Sequence, residues 1–440
     1  MSNNQSNLMI YAVIGLIIGA AIGYFVYPSM NPGPAGEVVD KADYDALQSQ
    51  LSDVQDDLDE AQTLVDELQE VTEHQIGFSL PLTGALAEIG TQWRTVVEMA
   101  IEDLNDEAEA IGLKASFTAV IQDDKTSATE ALTTIQTLAQ SGIKVIVGPA
   151  GSDQVKAGKI YADDNHVVII TPSSTSPTLA IPDDYIFRTV GSDATQSKAL
   201  AATINTQGIT NVILFVRNDE YGNAFSDFIA DELDVYNITS QKIAYDTSLT
   251  DYASEVSQLS SIAETEGADG IVIVTYDSDG VNIMSHAKDD AYLTSIQWFS
   301  SEGVHGATSL LEADIAAFID TVSLMGTRPL FRDNKLLVAF NEEYKTLTGS
   351  DAPVFSANLY DAIHIAGWSI LKAESDDGAA IRAVLPNVAA SYYGTSGVNI
   401  LDVAGDKAIQ DYAVWTVREV EGSNVYVDIG NYAGGTISLD

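Results

Sequence analysis

Val145-Ile146-Val147-Gly148-Pro149-Ala150-Gly151-Ser152-Asp153-Gln154, followed one helix-length later by Val167-Val168-Ile169-Ile170-Thr171-Pro172-Ser173-Ser174-Thr175-Ser176-Pro177, decides the fold class. Each half is a short β-branched run that stops in glycine, proline and small hydroxyl residues. Such runs are the buried strands of a parallel sheet, and the small residues after them lie at the strands' carboxyl ends. That rim is where open α/β sheets hold ligands. The stretch Asp153–Asn165 between the halves reads as a helix, whose free N–H groups favour an anionic group, with a serine hydroxyl beside them. The rim is therefore expected to hold a small carboxylate.

Outward from this stretch, strands alternate with amphipathic helices from Gln75 onward. The expected strands are Ile76–Leu80, Ala115–Ile121, Val145–Val147, Val167–Ile170, Val212–Val216, Gln241–Tyr245, Gly270–Val274, Ser295–Phe299 and Thr321–Met325. Trp93–Leu104, Thr126–Ala139 and Tyr252–Ala263 are among the helices between them. Repeated βα units give an α/β fold of doubly wound parallel sheets. Residues 75–440 exceed what one hydrophobic core usually supports, so two lobes are expected.

Upstream the patterning is different. Residues 1–7 are a neutral tail, and Leu8–Tyr27 is an uncharged apolar run. At 1.5 Å per residue it is about as long as a bilayer core is thick, and it reads as an uncleaved single-pass signal anchor. Gly15, Gly19 and Gly23 leave one face of it bare for helix pairing. Residues 28–40 are a linker rich in proline and glycine. Within 41–74, Leu47, Leu51, Val54, Leu58, Ala61, Val65 and Leu68 keep 4-3 spacing, the seam of a coiled-coil stalk and of a homo-oligomer formed through it.

The 440 residues carry 20 basic and 64 acidic side chains, a formal charge of −44. Nucleic acid and anionic lipid share that sign, which argues against either as partner. The sequence has no cysteine, so disulfides, thiolate metal sites and cysteine nucleophiles are excluded. The five histidines are scattered without zinc-ligand spacing, the Gly151–Lys159 stretch lacks the spacing of a phosphate loop, and no serine-hydrolase elbow occurs. Adjacent Asp123 and Asp124 end a strand facing opposite ways, which makes a poor acid/base pair. Nothing here points to an enzyme.

In order along the chain come I-G-F-S-L-P-L-T-G-A-L-A-E-I-G (Ile76–Gly90), D-D-K-T-S (Asp123–Ser127), the two rim loops, N-D-E-Y-G (Asn218–Gly222), S-E-G (Ser301–Gly303), L-Y-D-A (Leu359–Ala362) and Y-G-T-S-G (Tyr393–Gly397). This ordered set resembles the extracytoplasmic solute-binding proteins of ABC importers for branched-chain amino acids and amides. The resemblance implies a two-lobed type I periplasmic-binding-protein fold that closes on ligand like a hinge. It places lobe one at about 75–190 and 328–394 and lobe two at about 191–327 and 395–440, with crossings near Thr189–Asp193, Met325–Pro329 and Tyr393–Gly397.

It also implies the site. Ser152, Ser174 and Thr175 would hold an amino acid's carboxylate, Tyr276 and Glu302 its ammonium, and Tyr221 would line the wall. Ile89 stands where family members that grip branched side chains often carry an aromatic residue. The chemistry agrees, since neutral donors suit a carboxylate and a carboxylate beside a phenol suits an ammonium. The implied function is capture of an aliphatic, branched-chain amino acid outside the cell for delivery to ABC permease subunits, with no cofactor. The alternatives are a receptor for urea or short amides, and a ligand-sensing or structural cell-surface protein of the same fold.

Overall fold

The structure, a computed structural model, describes residues 41–69 and 71–440. Its first element, α1 (Lys41–Gln69), covers most of the expected stalk, and at 1.5 Å per residue it is about 43 Å long. Within it Val54, Leu58 and Ala61 of the apolar seam are half-buried, whereas Gln55, Asp56, Asp57 and Asp59 are exposed. Among the described residues no helix is long and apolar enough to cross a membrane. The anchor segment 8–27 and the linker 28–40 lie outside the described residues. By contacts the chain divides into two units, one of residues up to His74 with Asn105–Ser116, the other of Gln75–Leu104 with Phe117–Asp440. Lobe two, and lobe one apart from Asn105–Ser116, fall in the second.

β1 (Thr72–Leu80), α2 (Ala87–Ala110), β2 (Ala115–Asp123), α3 (Ala128–Gln140), β3 (Val145–Val147), α4 (Ser152–Asn165), β4 (Val168–Thr171) and β5 (Ile186–Arg188) build the first sheet and its flanking helices. Its order is β2-β1-β3-β4-β5. The pairs β1–β3, β3–β4 and β4–β5 are parallel, with Ile146 opposite both Gly77 and Ile169. The short β-branched runs become strands because both of their faces are buried. Val145, Val147, Val168 and Ile170 enter one apolar cluster, while Ile146, Ile169 and Ile186 enter another on the opposite face.

The chain then builds the second sheet through α5 (Asp193–Thr206), β6 (Asn211–Arg217), α6 (Glu220–Val235), β7 (Thr239–Tyr245), α7 (Ala253–Glu266), β8 (Gly270–Val274), α8 (Asp277–Ala287), β9 (Gln297–Ser300), α9 (Ala313–Thr321) and β10 (Met325–Leu330). Three helices, α10 (Lys335–Thr348), α11 (Ser356–Ala373) and α12 (Gly378–Ser391), return to lobe one, where α11 packs on β3 and β4. A hairpin of β11 (Tyr393–Gly394) and β12 (Gly397–Val398) follows, then β13 (Asp411–Val420), β14 (Ser423–Ala433) and β15 (Thr436–Leu439).

The second sheet has the order β15-β14-β13-β10-β9-β8-β6-β7. Strands β7 to β10 are parallel, but β13, β14 and β15 run antiparallel to their neighbours, so the expectation of purely parallel sheets fails at this edge. Two boundaries also move. Thr321 ends α9 instead of starting a strand, and the strand runs through Arg328-Pro329 to Leu330. Pairing with β9 stops at Gly326, so Pro329 lies where β10 has an open side and its missing N–H costs no ladder bond. The third crossing comes later than 393–397. Those residues form the β11–β12 hairpin, fastened by Asp361, which accepts from the N–H and hydroxyl groups of Thr395 and Ser396 and from Asn399 Nδ2. The chain passes to the second sheet only after Asp406, which still bridges to Arg188 of β5.

Candidate functional site

The carboxyl ends of β3 and β4 in lobe one face those of β6, β8 and β9 in lobe two across a cleft enclosing about 480 Å³, its mouth included. Ala150, Ser152, Ser173 and Thr175 line it on one side, and Tyr221, Tyr276, Asp277, Glu302, Gly303 and His305 on the other. Leu86, Ile89, Trp93, Val354 and Phe355 close it with an apolar wall.

The hydroxyl side is built by α4. Gly151 is its N-cap and makes no side-chain cap bond, so Ser152 begins the helix without spending its hydroxyl on capping. Ser152 Oγ accepts from Ser174 Oγ at 3.1 Å and from the Ser176 N–H at 3.3 Å, which leaves its own hydrogen free to donate. Ser173 Oγ donates to the Ala150 carbonyl at 2.9 Å, and Thr175 Oγ1 donates to Asp193 Oδ2 at 2.8 Å. Beneath this loop Arg188 donates through Nη1 to the carbonyls of Ser174 at 3.3 Å and Ser176 at 2.8 Å, while its Nε and Nη2 pair with both oxygens of Asp406.

The opposite side is acidic and aromatic. Glu302 is buried and accepts from the Tyr221 hydroxyl at 3.0 Å and from Gln196 Nε2. Burial outweighs those donors and pushes its carboxyl above the usual range. Asp193, fully buried behind Thr175, is raised well above it by burial and by the Glu302 charge. Its Oδ1 has no hydrogen-bond partner among the described residues. Burial, then the charge of Glu302, raises the Tyr221 phenol; burial, then Asp219, raises that of Tyr276, so both remain neutral donors. Their rings stack at 5.5 Å, and Arg217 lies 3.8 Å over the Tyr276 ring. Two buried carboxyl groups with no ion-pair partner among the described residues, Asp193 feeling only the more distant Arg188 charge, thus face neutral hydroxyls, an arrangement suited to a zwitterion.

The lobes meet around the cleft. Lys156 pairs with Glu220 at 2.5 Å, Ser176 and Thr178 donate to the same carboxylate, and the Thr308 N–H donates to Glu88 at 3.1 Å. A Cβ on Gly151 would stand 3.2 Å from the Tyr276 hydroxyl and closer still to the Gln154 side chain, so the bare backbone here permits the approach.

Of the residues singled out in the sequence, Ser152, Thr175, Tyr221, Tyr276, Glu302 and Ile89 all line the cleft. Ser174 does not. Its side chain points inward and supports Ser152, and Ser173 takes the place on the wall. Sequence reading missed Asp193, Gln196, Trp93, Asp277, His305 and Phe355. Asp193 carried a signal, since Ser192-Asp193 opens a helix directly after the first crossing. Phe355 carried none, because its φ of 65° in the turn before α11 is a tertiary effect.

Residues 92–418 match the family model described as "Receptor family ligand binding region". A leucine-, isoleucine-, valine-, threonine- and alanine-binding protein of Pseudomonas aeruginosa is 23% identical over 347 residues, covering 78% of this chain and 89% of that protein. Among solved structures, a leucine-binding protein of Thermotoga maritima superposes with a TM-score of 0.69 at 20% identity, over 82% of this chain and 99% of the other. A solute-binding protein of an ABC transporter from Rhodopseudomonas palustris, solved with 3,4-dihydroxybenzoic acid, gives 0.68 at 17% identity over 82% and 97%. The two-lobed α/β fold is that of type I periplasmic binding proteins.

Proposed function

Because the chain belongs to the family of receptor ligand-binding regions, we propose that it is the extracytoplasmic solute-binding receptor of an ABC importer, and that its ligand is an α-amino acid with an aliphatic side chain. It is a binding protein, not an enzyme. The observation that carries the ligand class is the buried pair Glu302 and Asp193, neither of them in an ion pair among the described residues, opposite the hydroxyl of Ser152. Ser152 would donate to the carboxylate beside Thr175, whose own hydroxyl hydrogen goes to Asp193, Glu302 with Tyr221 and Tyr276 would take the ammonium, and Leu86, Ile89 and Trp93 the side chain. Branched-chain amino acids are the set to which the relatives' names point. An aromatic acid such as the Rhodopseudomonas palustris ligand has no cation to offer Glu302, and urea has no carboxylate for Ser152.

The test is a thermal-shift panel on the full chain in mild detergent, with L-α-amino acids, urea, short amides and benzoate. A ligand at a hundred times its dissociation constant adds roughly 2.7 kcal/mol of stability. A shift is expected with an amino acid, and none with the analogue of the same side chain lacking either its amine or its carboxyl. A shift confined to urea, amides or benzoate would remove the roles given to Ser152 and Glu302.

The segment 8–27 is proposed as the anchor that holds the receptor at the membrane, with α1 as a paired stalk between anchor and lobes. The chain's lack of cysteine gives a clean assay. Leu58→Cys, on the seam, is expected to form a disulfide-linked dimer on mild oxidation, whereas Asp56→Cys, on the outer face, is not. Equal crosslinking of both, or of neither, would count against the coil.

A further inference from the structure

The apolar wall that would receive the ligand's side chain is not apolar all round. Asp277, the first residue of α8, lines the cleft beside Gly303 and His305. Its carboxyl makes no described hydrogen bond or ion pair, in contrast to Asp279 two residues on. A carboxylate is welcome at a helix start, but here Asp279 already fills that role by accepting from the Tyr276 N–H at 3.1 Å. Every group facing Asp277 withholds a cation. Glu88, fixed by the Thr308 N–H, adds a like charge, and so does Asp279. Burial and the Arg328 charge keep His305 neutral. Arg217 is taken by Asp219 at 2.8 Å and Asp279 at 2.5 Å, and among the described residues no lysine or arginine lines the cleft. Burial together with Glu88 pushes the Asp277 carboxyl up to about 8. A leucine or valine side chain would end in methyl groups against this carboxyl and leave it dry and unpaired, which is unfavourable. Methylenes lying along Leu86, Ile89 and Trp93 and ending in an amine would satisfy both the wall and the acid.

We propose that the ligand is an aliphatic diamino acid, of the ornithine or lysine class, and that Asp277, backed by Glu88, is the residue that selects it by pairing with the side-chain ammonium. This rests on the amino-acid reading of Glu302 and replaces a methyl terminus by a cationic one at Asp277.

Calorimetric titration of the full chain with leucine, isoleucine, valine, ornithine and lysine, repeated on Asp277→Asn, tests it. Ornithine or lysine is expected to bind at least tenfold tighter than any branched-chain amino acid. Asp277→Asn is expected to weaken the diamino acid by about 30-fold or more, as removal of one partner of a desolvated charge pair does, and to weaken leucine by clearly less. Glu88→Gln, further back, is expected to cost the diamino acid less than Asp277→Asn does. Binding of leucine, isoleucine or valine with no response to ornithine or lysine would overturn the selection by Asp277 and leave the amino-acid reading standing. Diamino-acid binding unchanged in Asp277→Asn would overturn it as well. No response to any α-amino acid would remove the amino-acid reading itself, and this inference with it.

Discussion

Glu302→Gln is expected to weaken ligand binding by about 30- to 3000-fold while leaving the ligand-free chain as stable as before, or more so. The loss follows from removing one buried partner of an ammonium, which costs roughly 2–5 kcal/mol. The unchanged stability follows from what Glu302 does without ligand. Its carboxyl is buried with Asp193 nearby, and burial raises both groups, Asp193 further through the Glu302 charge. A carboxyl whose folded pKa lies above its unfolded value contributes its stability below the unfolded value. That contribution is lost as pH rises through the folded value. Ionisation of the pair as pH rises is therefore a burden on the empty receptor, and glutamine removes half of it, its carbonyl oxygen accepting from Gln196 and its amide donating to the Tyr221 hydroxyl. The same sign governs binding. An ammonium needs the carboxylates ionised, so affinity rises with pH through the raised pKa values and falls on acidification, and the glutamine variant loses the part due to Glu302. Calorimetry and melting curves between about pH 5 and 8 separate the roles. A lower melting temperature with affinity intact would make Glu302 a structural residue.

What the sequence made legible is what local pattern controls. Val145–Val147 and Gly270–Val274 are strands to the residue, because each is an unbroken β-branched run bounded by small residues. The rim followed from the same logic of strand ends, whereas the seven named site residues, six of which line the cleft, came from the resemblance to the solute-binding family. The failures share a cause of another kind. β13 and β14 form a long antiparallel pair whose register shifts at Val414/Trp415 and whose inner strand is buried while the outer alternates irregularly, so neither shows a clean period. β10 hides behind Pro329, which is tolerated only because pairing with β9 has already ended. Ser174 and Ser173 are equivalent in sequence, and only the bond from Ser174 to Ser152 decides which one faces the ligand. Asp193 and Asp277 read as ordinary helix-start acids until the opposite lobe is in place.

Arg188→Met is expected to cost about 3–5 kcal/mol of unfolding free energy, the largest stability effect of a single side chain in lobe one. Arg188 is fully buried and shares both oxygens of Asp406, 218 residues away, so methionine leaves that carboxylate buried and unpaired. It also frees the carbonyls of Ser174 and Ser176, which Arg188 holds from beneath. Replacing both partners, Arg188→Met with Asp406→Leu, is expected to recover most of the loss, because a buried ion pair exchanged for apolar side chains of similar volume is often neutral. Denaturant unfolding of the single and double variants measures the coupling directly. A double variant as unstable as the sum of the singles would show that Arg188 acts through the serine carbonyls rather than through Asp406. Binding adds the discriminating readout. If the pair only stabilises lobe one, the rescued double variant binds ligand normally. If Arg188 also sets the height of the 173–176 loop, stability returns while affinity stays low, because Ser173 and Thr175 face the cleft only as long as the Ser174 and Ser176 carbonyls beside them are pulled inward.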